Sequence, residues 1–187
     1  MKKVSFFLLG AAFLASSLAF VAPKNPKAPI TLAVQSDKSR VDFIGSKAAD
    51  FHTGTFAVKG GSVQVEGGKL VGGSFVIDLA NLKVTDAAGE KLAGHLKSAD
   101  FFDVAKFGEA TYTISSVNYT SATACTISGN LNIKGVPVPV SFAANIRSAS
   151  EKGLFGQAYF SLDRTLLGIA YAGPSKDVQI AVHLFAK

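Results

Sequence analysis

The chain has no tryptophan, one methionine and one cysteine. Cys125 alone allows no internal disulfide and no cysteine-based metal site. Its strand-like surroundings fit a buried, inert thiol better than a nucleophile. The three histidines, His52, His95 and His183, are too far apart for a helical or ribbon metal motif, and no metal or cofactor is expected. Gly-rich phosphate loops of the G-x-G-x-x-G or P-loop type are absent, as is the G-x-S-x-G nucleophile elbow. His95, Ser98 and Asp100 are close in sequence but not on such an elbow. Asp100, Asp103 and Asp163 fit turns or ion pairs better than an acid–base pair. Beyond Lys2-Lys3 the basic residues are scattered, so the net charge of +6 forms no stripe that would mark a nucleic-acid binder. Without Lys2 and Lys3 the charge is about +4, enough for a transient contact with an anionic membrane surface.

Long apolar runs are also missing, except at the start. Lys2-Lys3 is followed by an apolar segment from Val4 to Phe20 and then Pro23-Lys24-Asn25-Pro26. This order reads as a secretory signal peptide over residues 1–22, placing the rest in the periplasm or outside the cell. Ser17-Leu18-Ala19 is an alternative small-residue cleavage site. Residues 23–187 make one ordinary domain, long enough to bury its own core.

What fills that domain is a period of two. Val41 and Phe43 flank Asp42; Val63 and Val65 flank Gln64; Phe75, Ile77 and Leu79 share a face. Tyr112 and Ile114 lie among threonines and Ser115. Ile127, Leu131 and Ile133 come next, then Val136, Val138, Val140, Phe142 and Ile146, and finally Val178, Ile180, Val182 and Leu184. Each set faces one side of a strand, with polar residues opposite; this places His183 with Gln179 on the surface. Gly60-Gly61, Gly67-Gly68, Gly72-Gly73 and Lys134-Gly135 punctuate the strands as hairpin turns do. Pro137 and Pro139 suit an edge, a strand start or a bulge. Many short strands at close spacing predict an all-β antiparallel sandwich or barrel.

One stretch breaks the period. Between residues 86 and 106 the spacing predicts a short helical insert, capped by Thr85 or Asp86, with Leu92 and Leu96 on its buried stripe. Ser98 and Asp100 start a further turn before Phe101-Phe102. The insert closes one end of the β-structure and places Leu96, Phe101 and Phe102 against its interior.

A domain with many apolar residues and no catalytic signature suggests a container. A barrel of about eight strands can hold one small ligand. Burial contributes about 0.8 kcal/mol per methylene, so an apolar tail needs a dry tube and no special residue.

Four segments carry a family likeness: "SDKSRVDFIGS", "GEKLAGHLKSADFFDVAKFGEATYTISSV", "ISGNLNIKGVPVPVSF" and "AYFSLDRTLLGIAY". In this order the chain resembles the YceI-like family of secreted bacterial proteins. The resemblance implies an antiparallel up-and-down, lipocalin-like barrel that encloses a polyisoprenoid or another long-chain amphipathic lipid. The chain departs from the family in lacking a tryptophan near its start, in Gly108 where proline is usual, and in Pro137 where a charged residue is common. These changes bear on which ligand is held.

The expected ligand wall comprises Phe43, Phe56, Leu96, Phe101, Phe102, Tyr112, Ile114, Phe142, Phe160 and Ile169. Arg164 or His95 would hold a headgroup; alternatively Arg164 pairs with Asp100, Asp103 or Asp163 and fixes the insert. Two other functions fit the same fold. One is a lipid-modifying enzyme using His95 with a nearby carboxylate. The other is an interaction module with a packed core and an outer face built on Phe155 and Tyr159. The oligomeric state is left open, a homodimer included.

Overall fold

The structure is a computed structural model that describes residues 28–187; the signal peptide expected over residues 1–22 lies outside the described residues. The strands run in sequence as β1 (Ile30–Ala33), β2 (Arg40–Lys47), β3 (Asp50–Glu66), β4 (Lys69–Val84), β5 (Glu109–Tyr119), β6 (Ala124–Ile133), β7 (Val136–Ser150), β8 (Gly153–Asp163) and β9 (Asp177–Ala186). One helix, α1 (Gly89–Lys97), separates β4 from β5, and a short 3₁₀ helix, Arg164–Leu167, precedes β9. Each strand from β2 to β9 pairs antiparallel with the next, and β9 pairs back onto β2. The result is a closed up-and-down barrel of eight strands. β1 lies beside the far half of β3, end to end with β2.

Alternation produces this barrel directly. In β7, Val138, Val140, Phe142, Ala144 and Ile146 are buried while the residues between them are exposed. Val136 departs from the expected inward set: it is 52% exposed at the first pair of the β6–β7 ladder, directly after the Lys134-Gly135 turn. The β3–β4 turn uses Gly67 and Gly68 at φ 57° and 77°, a pair of left-handed residues that matches the twist of the flanking strands.

The wall is not uniformly laddered. β7 pairs with β8 only from Ala144↔Ala158 to Ser150↔Gly153; residues 136–143 pair with β6 alone. Pro137 and Pro139 therefore sit where β7 has a hydrogen-bonding neighbour on one side, an edge in local terms. At the head of the gap Phe142 and Phe160 stack, their centroids 4.4 Å apart and their planes within 5°.

The helical insert is shorter than its spacing predicts. α1 ends at Lys97, and residues 98–107 form successive turns, with the Phe101 and Asp103 N–H groups donating to Ser98 O. Nor does Asp86 cap the helix. The residue before Gly89 is Ala88, which offers no side-chain cap. The Asp86 carboxylate instead accepts from the N–H groups of Ala88 (2.8 Å) and Thr53 (2.7 Å), fastening the insert to β3. Those two bonds hold the Asp86 carboxyl below the usual aspartate range. Nine residues make a marginal helix in water; packing supplies the rest, with Ala93 fully buried. Leu92 and Leu96 are half-buried rather than buried because they border a cavity.

Candidate ligand-binding site

Inside the barrel, between its wall and the insert, lies a cavity of about 220 Å³. Its surface is almost wholly carbon. Strands β2 to β9 contribute their inward residues, and α1, Phe101-Phe102 and the segment after β8 close over the end. The cavity reaches solvent beside Lys47 and His52, whose side chains are 52% and 29% exposed.

Of the expected wall, Phe43 and Phe56 stand on β2 and β3, with their rings 5.2 Å apart. Tyr112, Phe142 and Phe160 face the cavity from β5, β7 and β8. Leu96, Phe101 and Phe102 face it from the insert, and Ile169 from the loop before β9. Phe102 meets Phe56 edge-on at 5.6 Å. Phe101 packs instead against Tyr171 at 4.9 Å, so the two adjacent phenylalanines tie the insert to different walls. Ile114 is not part of this wall. Two residues farther along β5 than Tyr112, it borders a second, smaller space of about 30 Å³.

His95 lies outside the cavity lining. Its Nε2 is 3.4 Å from a carboxylate oxygen of Asp100, and its ring meets Phe101 and Tyr171 edge-on at 5.0 Å each. Arg164 does border the cavity and is only 8% exposed. Its side chain pairs with none of Asp100, Asp103 or Asp163. Its Nε donates to Ser175 O (2.8 Å), its Nη1 to Ile169 O (2.7 Å), and its Nη2 to Tyr171 O and Pro174 O (2.8 Å each). A guanidinium has five N–H donors in a fixed fork, and four are accounted for by this one loop. Asp163 accepts from the Thr165 N–H and hydroxyl, which holds its carboxyl below the usual range.

Sequence reasoning passed over His52 and Lys47 at the solvent edge. His52 Nδ1 is 3.3 Å from Asp86 and its Nε2 is 4.0 Å from Asp50. The signal was present, since His52 occupies an inward position of β3 two residues before Gly54 and four before Phe56. His183 is on the outer face as expected, but its side chain is only 20% exposed, covered by a hydrogen bond with Gln157 (3.1 Å) and an edge contact with Tyr159. Cys125 is buried, which pushes its thiol up. Among the described residues no group of three or more His, Cys, Asp or Glu could hold a metal ion.

This geometry, a meander barrel with an apolar interior roofed by an insert, is that of a known family. A profile of the YceI-like domain matches residues 32–186. The chain belongs to the YceI-like family. Among curated relatives, a UPF0312 protein of Ectopseudomonas mendocina is 37% identical over 71 residues, 38% of this chain and 36% of that protein. One of Pseudomonas putida is 31% identical over 119 residues, 62% of this chain and 60% of that one. The chain thus spans less than two thirds of the length of these relatives.

Solved YceI-like structures share the fold at low identity. Burkholderia cenocepacia BcnA superposes with a TM-score of 0.70 at 19% identity, covering 82% of this chain and 99% of that one. A polyisoprenoid binding domain from Saccharophagus degradans, implicated in plant cell wall breakdown, gives 0.64 at 17%, covering 83% and 97%. The Campylobacter jejuni YCEI protein gives 0.56 at 14%, covering 96% and 99%.

Proposed function

We propose that this YceI-like protein is a periplasmic or secreted carrier that encloses the tail of one polyisoprenoid or similar long-chain amphipathic lipid. The observation that carries this reading is the unfilled carbon-walled cavity. A barrel serving only as an interaction module would pack that space with side chains. Burying ten methylenes there contributes about 8 kcal/mol before ordering costs. Arg164 spends its donors on its own loop, so the headgroup sits at the solvent edge beside Lys47 and His52. His95 is paired with Asp100 outside the lining, which favours binding over acid–base chemistry on a held lipid. The lysine-led apolar segment at the N-terminus supports an exported protein. Exposed Phe51, Leu166 and Tyr171 lie on the segments bordering the cavity and suit a transient membrane contact during loading.

Titration with farnesol and longer polyprenols, read by native mass spectrometry, tests this. Leu131 lines the cavity, and Leu131→Trp fills it. The expected result is one bound lipid in the wild type and none in the variant. Failure of the wild type to bind, or equal binding by both, would overturn the reading.

A further inference from the structure

We propose that a layer of Phe75, Tyr112 and Phe142 is the floor of the binding site, and that it makes the cavity a blind pocket selecting tails by length. This rests on the carrier reading. The three side chains, together with Val182, border both the 220 Å³ cavity above and the 30 Å³ space below, so the layer separates the two. Tyr112 is the centre of the layer. Its ring lies 5.8 Å from Phe75 and 5.5 Å from Phe142, and its hydroxyl donates to Val140 O at 3.0 Å. Phe142 in turn is stacked on Phe160.

The layer has little room to swing aside. Tyr112 rests on Gly129: a Cβ there would come within 2.8 Å of the ring's Cζ and Oη. The space below is small, about 30 Å³, and lined almost wholly by carbon, with Leu70, Ile127, Ile146 and Leu154 on its walls. A tail descending from the solvent edge therefore stops at the floor. On β2 the lining runs from Lys47 to Val41, six steps and roughly 20 Å along a strand. At barrel tilt this is about 15 Å of depth. A tail longer than this must fold back or leave its end in water, so added length ceases to add affinity.

The test is a series of straight-chain alcohols from octanol to eicosanol, with affinities measured by displacement of a fluorescent fatty probe. In the wild type, affinity should rise about fourfold per methylene and then reach a plateau within the series. Phe142→Ala opens the floor, and its plateau should move to longer alcohols; Phe142→Leu, which keeps aliphatic packing, should move it in the same direction if the alanine variant folds poorly. Ala144, beneath the floor, borders only the lower space. Ala144→Leu should leave the wild-type plateau in place and cancel the gain in Phe142→Ala. Affinity that climbs to eicosanol in the wild type, or an identical plateau in wild type and both Phe142 variants, would overturn the floor while leaving the carrier reading intact. No binding of any alcohol would overturn both.

Discussion

Phe142 and Phe160 stack face to face, one inward step beyond Ala144↔Ala158, where the β7–β8 ladder ends. Two rings take over where backbone hydrogen bonds stop. The stack holds β7 to β8 at the head of the gap, and Phe142 also borders both cavities.

That stack should be measurable as a coupling. A double-mutant cycle with Phe142→Ala and Phe160→Ala, followed by urea unfolding, should give about 1 kcal/mol of interaction beyond the separate losses. Additive losses would mean that β7 and β8 are held there by something else.

Arg164 gives four N–H donors to carbonyls of the loop after β8, so its removal should register first as a loss of stability. Arg164→Ala leaves the buried Ile169 carbonyl and the part-buried carbonyls of Tyr171, Pro174 and Ser175 without the guanidinium's donors, and should cost about 3 kcal/mol. Arg164→Lys should rescue little, since one ammonium cannot reproduce the fork. Lipid affinity of the folded fraction should stay close to wild type. Thermal melts beside lipid titrations check both; intact stability with lost binding would return Arg164 to the headgroup.

Burial pushes the Tyr112 hydroxyl up to about 12. The unfolded chain ionises this group near pH 10 while the folded barrel keeps it neutral, so the unfolded state binds fewer protons. Its contribution is complete below pH 10 and falls between pH 10 and 12, by up to about 1.4 kcal/mol per unit. Tyr112→Phe loses the bond to Val140, about 1 kcal/mol at neutral pH, yet should lose less than wild type on going alkaline. Parallel unfolding curves for the two proteins from pH 9 to 12 would contradict this.

At the other end of the scale lies Asp86, whose carboxyl is depressed by the Ala88 and Thr53 N–H groups. Its stabilising contribution is present above the unfolded aspartate pKa and is lost as pH falls through the lower folded value. The stability gap between wild type and Asp86→Ala should hold down to about pH 4 and shrink below it. Hydrogen exchange of the α1 amides would localise the effect to the insert.

The barrel was legible because nearly every strand keeps one side apolar; Phe75, Ile77 and Leu79 or Val138, Val140 and Phe142 declare their face without help. The insert was legible as a break in that period, though its cap was not. Asp86 has the right residue type at a helix start, but a contact with Thr53 across the fold claimed its carboxylate. Ile114 shows the limit for the site. Alternation places it inward with Tyr112 equally well, and only barrel register decides which side of the aromatic layer an inward residue occupies. Arg164 was visible as an isolated arginine near aspartates, while its true partners are carbonyls, which every residue carries and no pattern marks.

The most direct test of the central claim is native mass spectrometry of the protein purified without detergent, repeated after denaturation and lipid extraction. The account predicts a discrete adduct on the folded protein, released by extraction as a single long-chain lipid. A bare mass that stays bare after incubation with polyprenols would contradict it.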